Sequence, residues 1–151
     1  MLSRSCRSKC HKQEHDKVDP MSSLEQIRLA MASTNDIFNH EVFGKRNFNA
    51  LDEVYTVQSR ILPPGGPAIS GRAEIKQFWA NFIQSANASA AVLTPLDVME
   101  AGDGVVEIGK AVLTVSPDGA STSEVEVKYV VYWKQEEGRW KWHVDIWNTN
   151  A

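Results

Sequence analysis

Residues 90–148 alternate β-branched or aromatic side chains with polar ones, and this alternation restricts the fold more than any other feature. Turn sequences interrupt it at residues 102–104, 117–119 and 136–138. Alternation with a period of two, broken by Gly- and Asp-containing turns, is typical of half-buried strands. The pattern predicts four strands at about 90–101, 104–116, 122–134 and 139–148, joined as an antiparallel meander.

The segment before residue 90 has the three- and four-residue spacing of helices. The first helix should end near Gly44 and a shorter one should cover residues 48–55; a third should begin after Gly71. A short strand, Val57 to Leu62, should precede the third helix. The stripe of the first helix consists of Leu24, Ile27, Met31, Phe38 and Val42. Helices followed by a meander predict an α+β domain.

Residues 1–20 differ from the rest of the chain. They carry five Lys or Arg and three acidic residues, and they contain Cys6, Cys10, His11 and His15. Without apolar periodicity they are expected to form a disordered tail, or an extension before an alternative start at Met21, ahead of a domain over 21–151. The Cys and His spacing could hold zinc, but a solvated tail is the favoured interpretation. We expect a cytoplasmic protein, or a mitochondrial one if this tail is a presequence.

Charge and motifs exclude several functional classes. The net charge of −3 and the lack of a basic cluster argue against nucleic acid as a partner. No apolar run is long enough to span a membrane. The chain has no phosphate-binding glycine loop, and His40-Glu41 lacks the spacing of a zinc protease. We therefore expect no cofactor and no metal.

The last hairpin separates charged from apolar side chains. With Gln135 to Gly138 as its loop, Lys128 would lie opposite Asp145, and Trp133 opposite Trp140. One face of the hairpin would then be mixed and charged, and the other strongly apolar. Either the apolar face packs on the helices, or the charged face lines a pocket and a second subunit covers the apolar one.

Two stretches of the sequence resemble a known family. They are YTVQSRILPPGGP at 55–67 with ISGRAEI at 69–75, and GRWKW at 138–142 followed by DIWN at 145–148. They resemble the SnoaL-like branch of the nuclear transport factor 2-like superfamily, over about residues 22–150. The resemblance implies a cone-shaped curved antiparallel sheet wrapped around three helices and enclosing a pocket. It also favours the second orientation of the hairpin, with a homodimer through the outer sheet face formed by Val127, Tyr129, Val131, Trp133, Trp140 and Trp142.

The resemblance also suggests site residues. Asp145 matches the inward acid/base carboxylate of the polyketide cyclases, and His143, on the same predicted face, would be a second proton-transfer group. The positions of the three catalytic residues of ketosteroid isomerase fall at Leu62 or Pro63, at Val130 and near Asn39, so that mechanism is excluded. Substrate contacts would come from Lys128, Tyr132, Trp147, Asn39, Tyr55 and Trp79. The alternative is that Lys128 and Asp145 form a purely structural ion pair.

These features lead to two functional hypotheses. The first is a small-molecule-binding domain that could act as a cofactor-independent isomerase, cyclase or hydratase on a partly apolar carbonyl compound. The second is a non-catalytic dimerisation or association module, for which the association domain of calmodulin-dependent kinase is the family's example.

Overall fold

A computed structural model describes residues 23–151 as one α+β domain. The predicted tail over residues 1–20 and the alternative start at Met21 lie outside the described residues. The helices are α1 (Ser23–Asp36), continued by a π-helical segment (Ile37–Gly44), then α2 (Leu51–Val54) after a short 3₁₀ turn (Phe48–Ala50), and α3 (Arg72–Ser85). They follow the predicted apolar spacing.

The strands are β1 (Tyr55–Leu62), β2 (Ile69–Ser70), β3 (Ala90–Ala101), β4 (Gly104–Val115), β5 (Ser123–Glu136) and β6 (Arg139–Thr149). They form a curved, unclosed sheet in the order β2-β1-β6-β5-β4-β3. The four-strand meander and the cone-shaped α+β fold are confirmed. One detail differs from the prediction, because β1 pairs with β6 in parallel and the sheet is therefore mixed.

The register of the last hairpin differs from the predicted one. The turn consists of two residues, Glu137 and Gly138, both with positive φ (53° and 73°), as a tight hairpin turn with right-handed strand twist requires. Near this turn Trp133 pairs with Trp142. Val131 lies two residues further along β5 but pairs with Asp145, three residues further along β6, so the register shifts by one residue. The predicted pairings of Lys128 with Asp145 and of Trp133 with Trp140 are wrong, because the loop is shorter than assumed and the register shifts once more inside the hairpin.

The apolar face of the hairpin packs against the helices. Trp133 is completely buried and Trp142 is 2% exposed, within one core that includes Met31 and Phe38 of the first helix. The predicted outer position of the proposed dimer residues is therefore wrong, because their side chains complete the core of a single chain. The buried ones are Val127, Tyr129, Val131, Trp133 and Trp142, and the half-buried Trp140 packs against them.

The outer face of the sheet carries a row of exposed aliphatic side chains. Ile108 pairs with Val130, Val130 with Ile146, and Ile146 with Leu62, so the row crosses four neighbouring strands. Each of the four is between 36% and 40% exposed. Among the described helices, none is both long and apolar enough to cross a membrane.

Candidate active site

One extra residue in β6 directs Asp145 into the domain. Trp133 pairs with Trp142 while Tyr132 pairs with Val144, so His143 is left over as a β-bulge. Side chains of a strand alternate between faces, and an inserted residue reverses this alternation beyond it. Trp142 and Asp145 therefore both point inward, where an uninterrupted strand would have placed Asp145 on the outer face. Asp145 is 4% exposed.

Asp145 is held by a hydrogen-bond chain from two other elements. The hydroxyl of Tyr55, at the start of β1, donates a 2.7 Å hydrogen bond to Oδ2 of Asp145. Trp79 of α3 donates from Nε1 to the same hydroxyl over 3.1 Å. Both aromatic residues are buried. Because Oδ2 is engaged and Oδ1 has no partner among the described residues, Oδ1 is the oxygen open to a ligand.

The surroundings of Asp145 favour its neutral form. Burial raises its pKa to about 7, and the hydrogen bond from Tyr55 opposes the rise while the charge of Glu107 adds to it. Burial, with the charge of Asp145, also raises the pKa of Tyr55 well above its usual value, so the tyrosine stays a hydrogen-bond donor. A carboxyl group that titrates near neutral pH can accept and return a proton, as general acid–base catalysis requires.

Asp145 borders a small apolar cavity between the helices and the concave face of the sheet. Its volume is about 40 Å³, which is room for roughly three water molecules. The walls are Phe38, Trp79, Leu93, Ala111, Leu113, Val127, Tyr129, Val131, Trp142, Asp145 and Trp147. Asp145 is the one ionisable carboxyl group among them, so it sits against a hydrocarbon lining.

Trp147 and Leu93 mark the entrance of the cavity, because they are half-buried while the other lining residues are buried. The Trp147 ring stacks on Trp79, with centroids 5.1 Å apart and planes at 22°. It also meets the edge of Phe78 at 5.8 Å. These contacts join the half-buried Trp147 to Trp79, whose Nε1 donates to the tyrosine that holds Asp145.

A second buried carboxyl group belongs to the same region. Glu107 of β4 is completely buried, and the hydroxyl of Tyr129, which lines the cavity, donates a 2.5 Å hydrogen bond to its Oε1. Burial raises the pKa of Glu107, and the bond from Tyr129 acts against this rise. Glu107 pairs with Val131, which pairs with Asp145, so the two acids are two strand spacings apart, about 10 Å between Cα atoms.

Gly109 makes room for this tyrosine. A Cβ atom at residue 109 would lie 2.3 Å from both Cζ and the hydroxyl oxygen of Tyr129, far inside van der Waals contact. The ring of Tyr129 therefore lies over β4 at Gly109, the residue with which Tyr129 pairs across the two strands. This is what brings its hydroxyl to Glu107.

The structure brings four of the eight sequence-predicted site residues together: Asp145, Tyr55, Trp79 and Trp147. It separates the others. Lys128 is exposed on the outer face. His143 hydrogen-bonds Thr56, and its ring centroid is 6.4 Å from that of Tyr132; both lie on the opposite face of the sheet from Asp145. Asn39 is half-buried and is not part of the cavity lining.

The predicted grouping of His143, Lys128 and Tyr132 with Asp145 is therefore wrong. The bulge at His143 reverses the face of β6 beyond it, whereas the prediction assumed uninterrupted alternation. The structural ion pair between Lys128 and Asp145 is excluded for the same reason, since Lys128 pairs with Asn148.

Glu107 and Tyr129 had not been predicted as site residues. The sequence did contain a signal for Glu107, because the alternate positions Val105, Ala111 and Leu113 of β4 are apolar. Glu107 is the acid among them, which is unusual for the buried face of a strand. Within residues 23–151, no group of three or more His, Cys, Asp or Glu side chains is arranged to hold a metal ion.

Comparisons with known proteins agree with this architecture. The SnoaL-like domain family matches residues 38–143, and the chain belongs to that family. No curated protein matches it in sequence. A nuclear transport factor 2-like protein with a cystatin-like fold from Novosphingobium aromaticivorans superposes with a TM-score of 0.71 at 14% identity, over 85% of this chain and 84% of that one.

Two further structures are similar in fold. A ketosteroid isomerase-like protein from Erwinia carotovora has a TM-score of 0.67 at 14% identity, covering 83% of this chain and 94% of that one. The hexachlorocyclohexane dehydrochlorinase LinA-type3 from Novosphingobium barchaimii has a TM-score of 0.68 at 15% identity, covering 86% of this chain and 92% of that one. At these identities the likeness establishes the fold, which hosts many functions.

Proposed function

We propose that this chain binds a small, partly apolar carbonyl compound in the cavity and transfers a proton on it through Asp145, as a cofactor-independent isomerase, cyclase or hydratase. The observation that supports this most is the Asp145 carboxyl group, whose pKa burial raises to about 7 and which borders the apolar cavity. The names of two similar structures, a ketosteroid isomerase-like protein and a dehydrochlorinase, are compatible with small-molecule chemistry of this kind.

In this mechanism the charged Asp145 uses Oδ1 to remove a proton from the carbon next to the carbonyl group. The pair of electrons from that C–H bond forms a new C=C bond, and the π pair of the C=O bond moves onto the oxygen, which carries the negative charge of the enolate. Asp145, now neutral, returns the proton to the same carbon or to another one. Tyr55 keeps the carboxyl plane fixed throughout by its bond to Oδ2, so the reacting oxygen is already positioned.

The size of the cavity limits the substrate. Space for about three water molecules fits a ligand of a few heavy atoms, and a larger one requires the half-buried Trp147 at the entrance to move. Since the lining is almost entirely hydrocarbon and aromatic, charged substrates would lose their hydration without compensation. The favoured substrates are small neutral ketones, aldehydes and esters.

The test is deuterium exchange at the carbon next to the carbonyl group. A series of small cyclic and aliphatic ketones, aldehydes and esters is incubated with the chain in D₂O, and loss of the proton signal is followed by NMR. We expect exchange with at least one compound to rise with pH through about 7, as Asp145 ionises. Asp145→Asn should abolish it while the circular dichroism spectrum stays unchanged.

Two variants complete this experiment. Tyr55→Phe removes the bond to Oδ2 and should lower the exchange rate, whereas Asp97→Asn alters an exposed acid of β3 and should leave it unchanged. Exchange by Asp145→Asn at the parent rate would contradict the role of Asp145. If no compound of the series exchanges faster with the protein than without it, the carbonyl class is refuted.

A second candidate function is that of a non-catalytic association module that forms homodimers. The observation in its favour is the exposed aliphatic row Ile108, Val130, Ile146 and Leu62 on the outer face of the sheet. Clustered exposed aliphatic side chains are more typical of an interaction surface than isolated ones. This function and ligand binding use opposite faces of the sheet, so each can be tested without disturbing the other.

A further inference from the structure

A polar notch opens in the outer face where β1 and β6 separate. Tyr55 pairs with Trp142 and Arg60 with Val144, so four residues of β1 (56–59) lie against the single residue His143 of β6. Two adjoining grooves of about 530 and 270 Å³ meet at the His143 side chain. The notch lies on the opposite face of the sheet from Asp145 and plays no part in the proposed proton transfer.

The walls of the notch are held by hydrogen bonds in place of strand pairing. Ser59 donates from Oγ to the carbonyl oxygen of Thr56 over 2.7 Å, and Gly71 donates its N–H to the carbonyl oxygen of Ser59 over 2.8 Å. The N–H of Val57 donates to Oε2 of Glu136 over 3.0 Å. These three bonds give the segment a defined shape where it does not pair with β6, and they satisfy the N–H of Val57 and the carbonyl groups of Thr56 and Ser59.

His143 is oriented within the notch. Its Nδ1 lies 2.8 Å from Oγ1 of the buried Thr56, so the other ring nitrogen, Nε2, is the one available to a ligand. Arg60 of β1 borders the larger groove and Lys134 of β5 borders the smaller one, and the two grooves share His143. Within residues 23–151 neither cation forms a salt bridge; Lys134 rests 5.8 Å from the centroid of the Tyr132 ring.

The acid that lines the smaller groove, Glu136, already has partners. Glu136 is contacted by Lys141 at 3.3 Å and Arg72 at 3.5 Å, besides the Val57 N–H. Burial and the charges of Lys134 and Arg60 lower the pKa of His143 below its usual value, while Glu136 and Asp103 act in the opposite direction. The two cations thus dominate the field at the imidazole, although two acids also face it.

We propose that this notch is an oxyanion-binding site, in which Arg60 and Lys134 bind a phosphate or carboxylate group and Nε2 of His143 completes its coordination. Such an anion accepts several hydrogen bonds, preferably from charged donors. The guanidinium group of Arg60 and the ammonium group of Lys134 have no carboxylate partners and can donate them, beside the imidazole that Thr56 orients. Gln58 and Ser70 line one groove beside Arg60 and provide further polar contacts. An anion there offsets the two positive charges that, after burial, lower the pKa of His143, so binding of the anion and protonation of His143 reinforce each other.

The experiment uses the full 151-residue chain and NMR titration of its histidines at constant ionic strength adjusted with sodium chloride. Sulfate is the stand-in for a phosphate group, because it does not titrate between pH 5 and 8, and acetate is the stand-in for a carboxylate. His143→Gln identifies the His143 signal by its disappearance. We expect the His143 pKa to rise with anion concentration and reach a plateau.

Variants separate specific binding from screening. Arg60→Gln and Lys134→Gln should each weaken the fitted affinity about tenfold or more, as expected for the loss of a charge-assisted hydrogen bond. Lys110→Gln removes an exposed lysine of β4 outside the notch and should change nothing. Saturation with sulfate alone indicates a phosphate ligand, and saturation with acetate indicates a carboxylate.

The proposal is overturned if the shift shows no plateau with either anion, or if it is equal in the parent and in Arg60→Gln. His143→Gln provides a check independent of the imidazole signal: by calorimetry, it should bind the anion with an affinity that no longer strengthens as the pH falls. Loss of deuterium exchange in Asp145→Asn has no bearing on this result, because the two sites lie on opposite faces of the sheet.

Discussion

The hydroxyl of Tyr55 lies 2.7 Å from Oδ2 of Asp145, joining the first strand of the chain to the last across their parallel pairing. The contact connects residues 90 positions apart, and it involves the carboxyl group on which the proposed chemistry depends. Three separate elements, β1, α3 and β6, converge at this point through Tyr55, Trp79 and Asp145.

The buried Asp145 should make the stability of the protein depend on pH. Its pKa is about 7 in the folded chain and 3.8 ordinarily, so between these values the folded state binds the proton more tightly than the unfolded state. The contribution of this group to the free energy of unfolding is fully present below pH 3.8, and it is lost as the pH rises through 7. The difference of about three pKa units corresponds to at most about 4 kcal/mol.

Asp145→Asn should remove this part of the pH dependence, because the amide does not ionise yet still accepts the bond from Tyr55. Above pH 7 the variant should be more stable than the parent. Urea unfolding between pH 4 and 8 measures the effect, with Asp97→Asn as a control that keeps the parent's slope. Identical pH profiles for Asp145→Asn and the parent would refute the raised pKa.

Tyr129 and Glu107 should be energetically coupled. Tyr129→Phe leaves the completely buried Glu107 without its hydrogen bond, which should cost roughly 1–3 kcal/mol of unfolding free energy. In a Glu107→Leu background no carboxyl group is left unsatisfied, so the same change should cost much less. Urea unfolding of the parent, both single variants and the double variant measures the coupling; strictly additive costs would show that the pair does not interact.

Gly109→Ala should be strongly destabilising. The new Cβ would lie 2.3 Å from the Tyr129 ring, so the tyrosine must move and its bond to Glu107 is lost. We expect a clear fall in the melting temperature by calorimetry. Gly66→Ala is the matched control, because its nearest neighbour would be 3.9 Å away and its melting temperature should stay close to the parent's. A Gly109→Ala variant as stable as Gly66→Ala would disprove the close packing.

The outer aliphatic row should mediate self-association. Sedimentation equilibrium of the parent should show a dimer, and Val130→Lys with Ile108→Lys should show a monomer that unfolds at a similar temperature. Leu29→Lys places the same charge at an exposed leucine of α1 and should remain dimeric. A parent mass of a single chain at all concentrations would contradict the association.

Much of the architecture could be read from local sequence patterns. The strand β3 has the predicted bounds, and β4 and β6 differ from the prediction by one residue at one end. The turn residues and the alternation are local properties, and a strand's position in the chain depends mainly on them. The aromatic wall formed by Trp79 and Trp147 was likewise predictable as part of the site.

The pairing and register of the strands could not be predicted in the same way. The predicted hairpin loop of four residues is a two-residue turn, and this alone moves every pairing of β5 with β6. The parallel pairing of β1 with β6 joins segments far apart in the chain, for which local patterns contain no signal. Glu107 was missed because its value as a site residue depends on a tyrosine 22 positions away.

The sequence by itself therefore determined the helices, the meander and the α+β class, because these follow from side-chain periodicity within each segment. Only the tertiary structure decided which face of β6 meets the helices. One unpaired residue, His143, reverses the alternation of the strand, and the energetic reason lies in the packing of Trp133 and Trp142 together in one core. That reversal places Asp145 inside the cavity and His143 outside it.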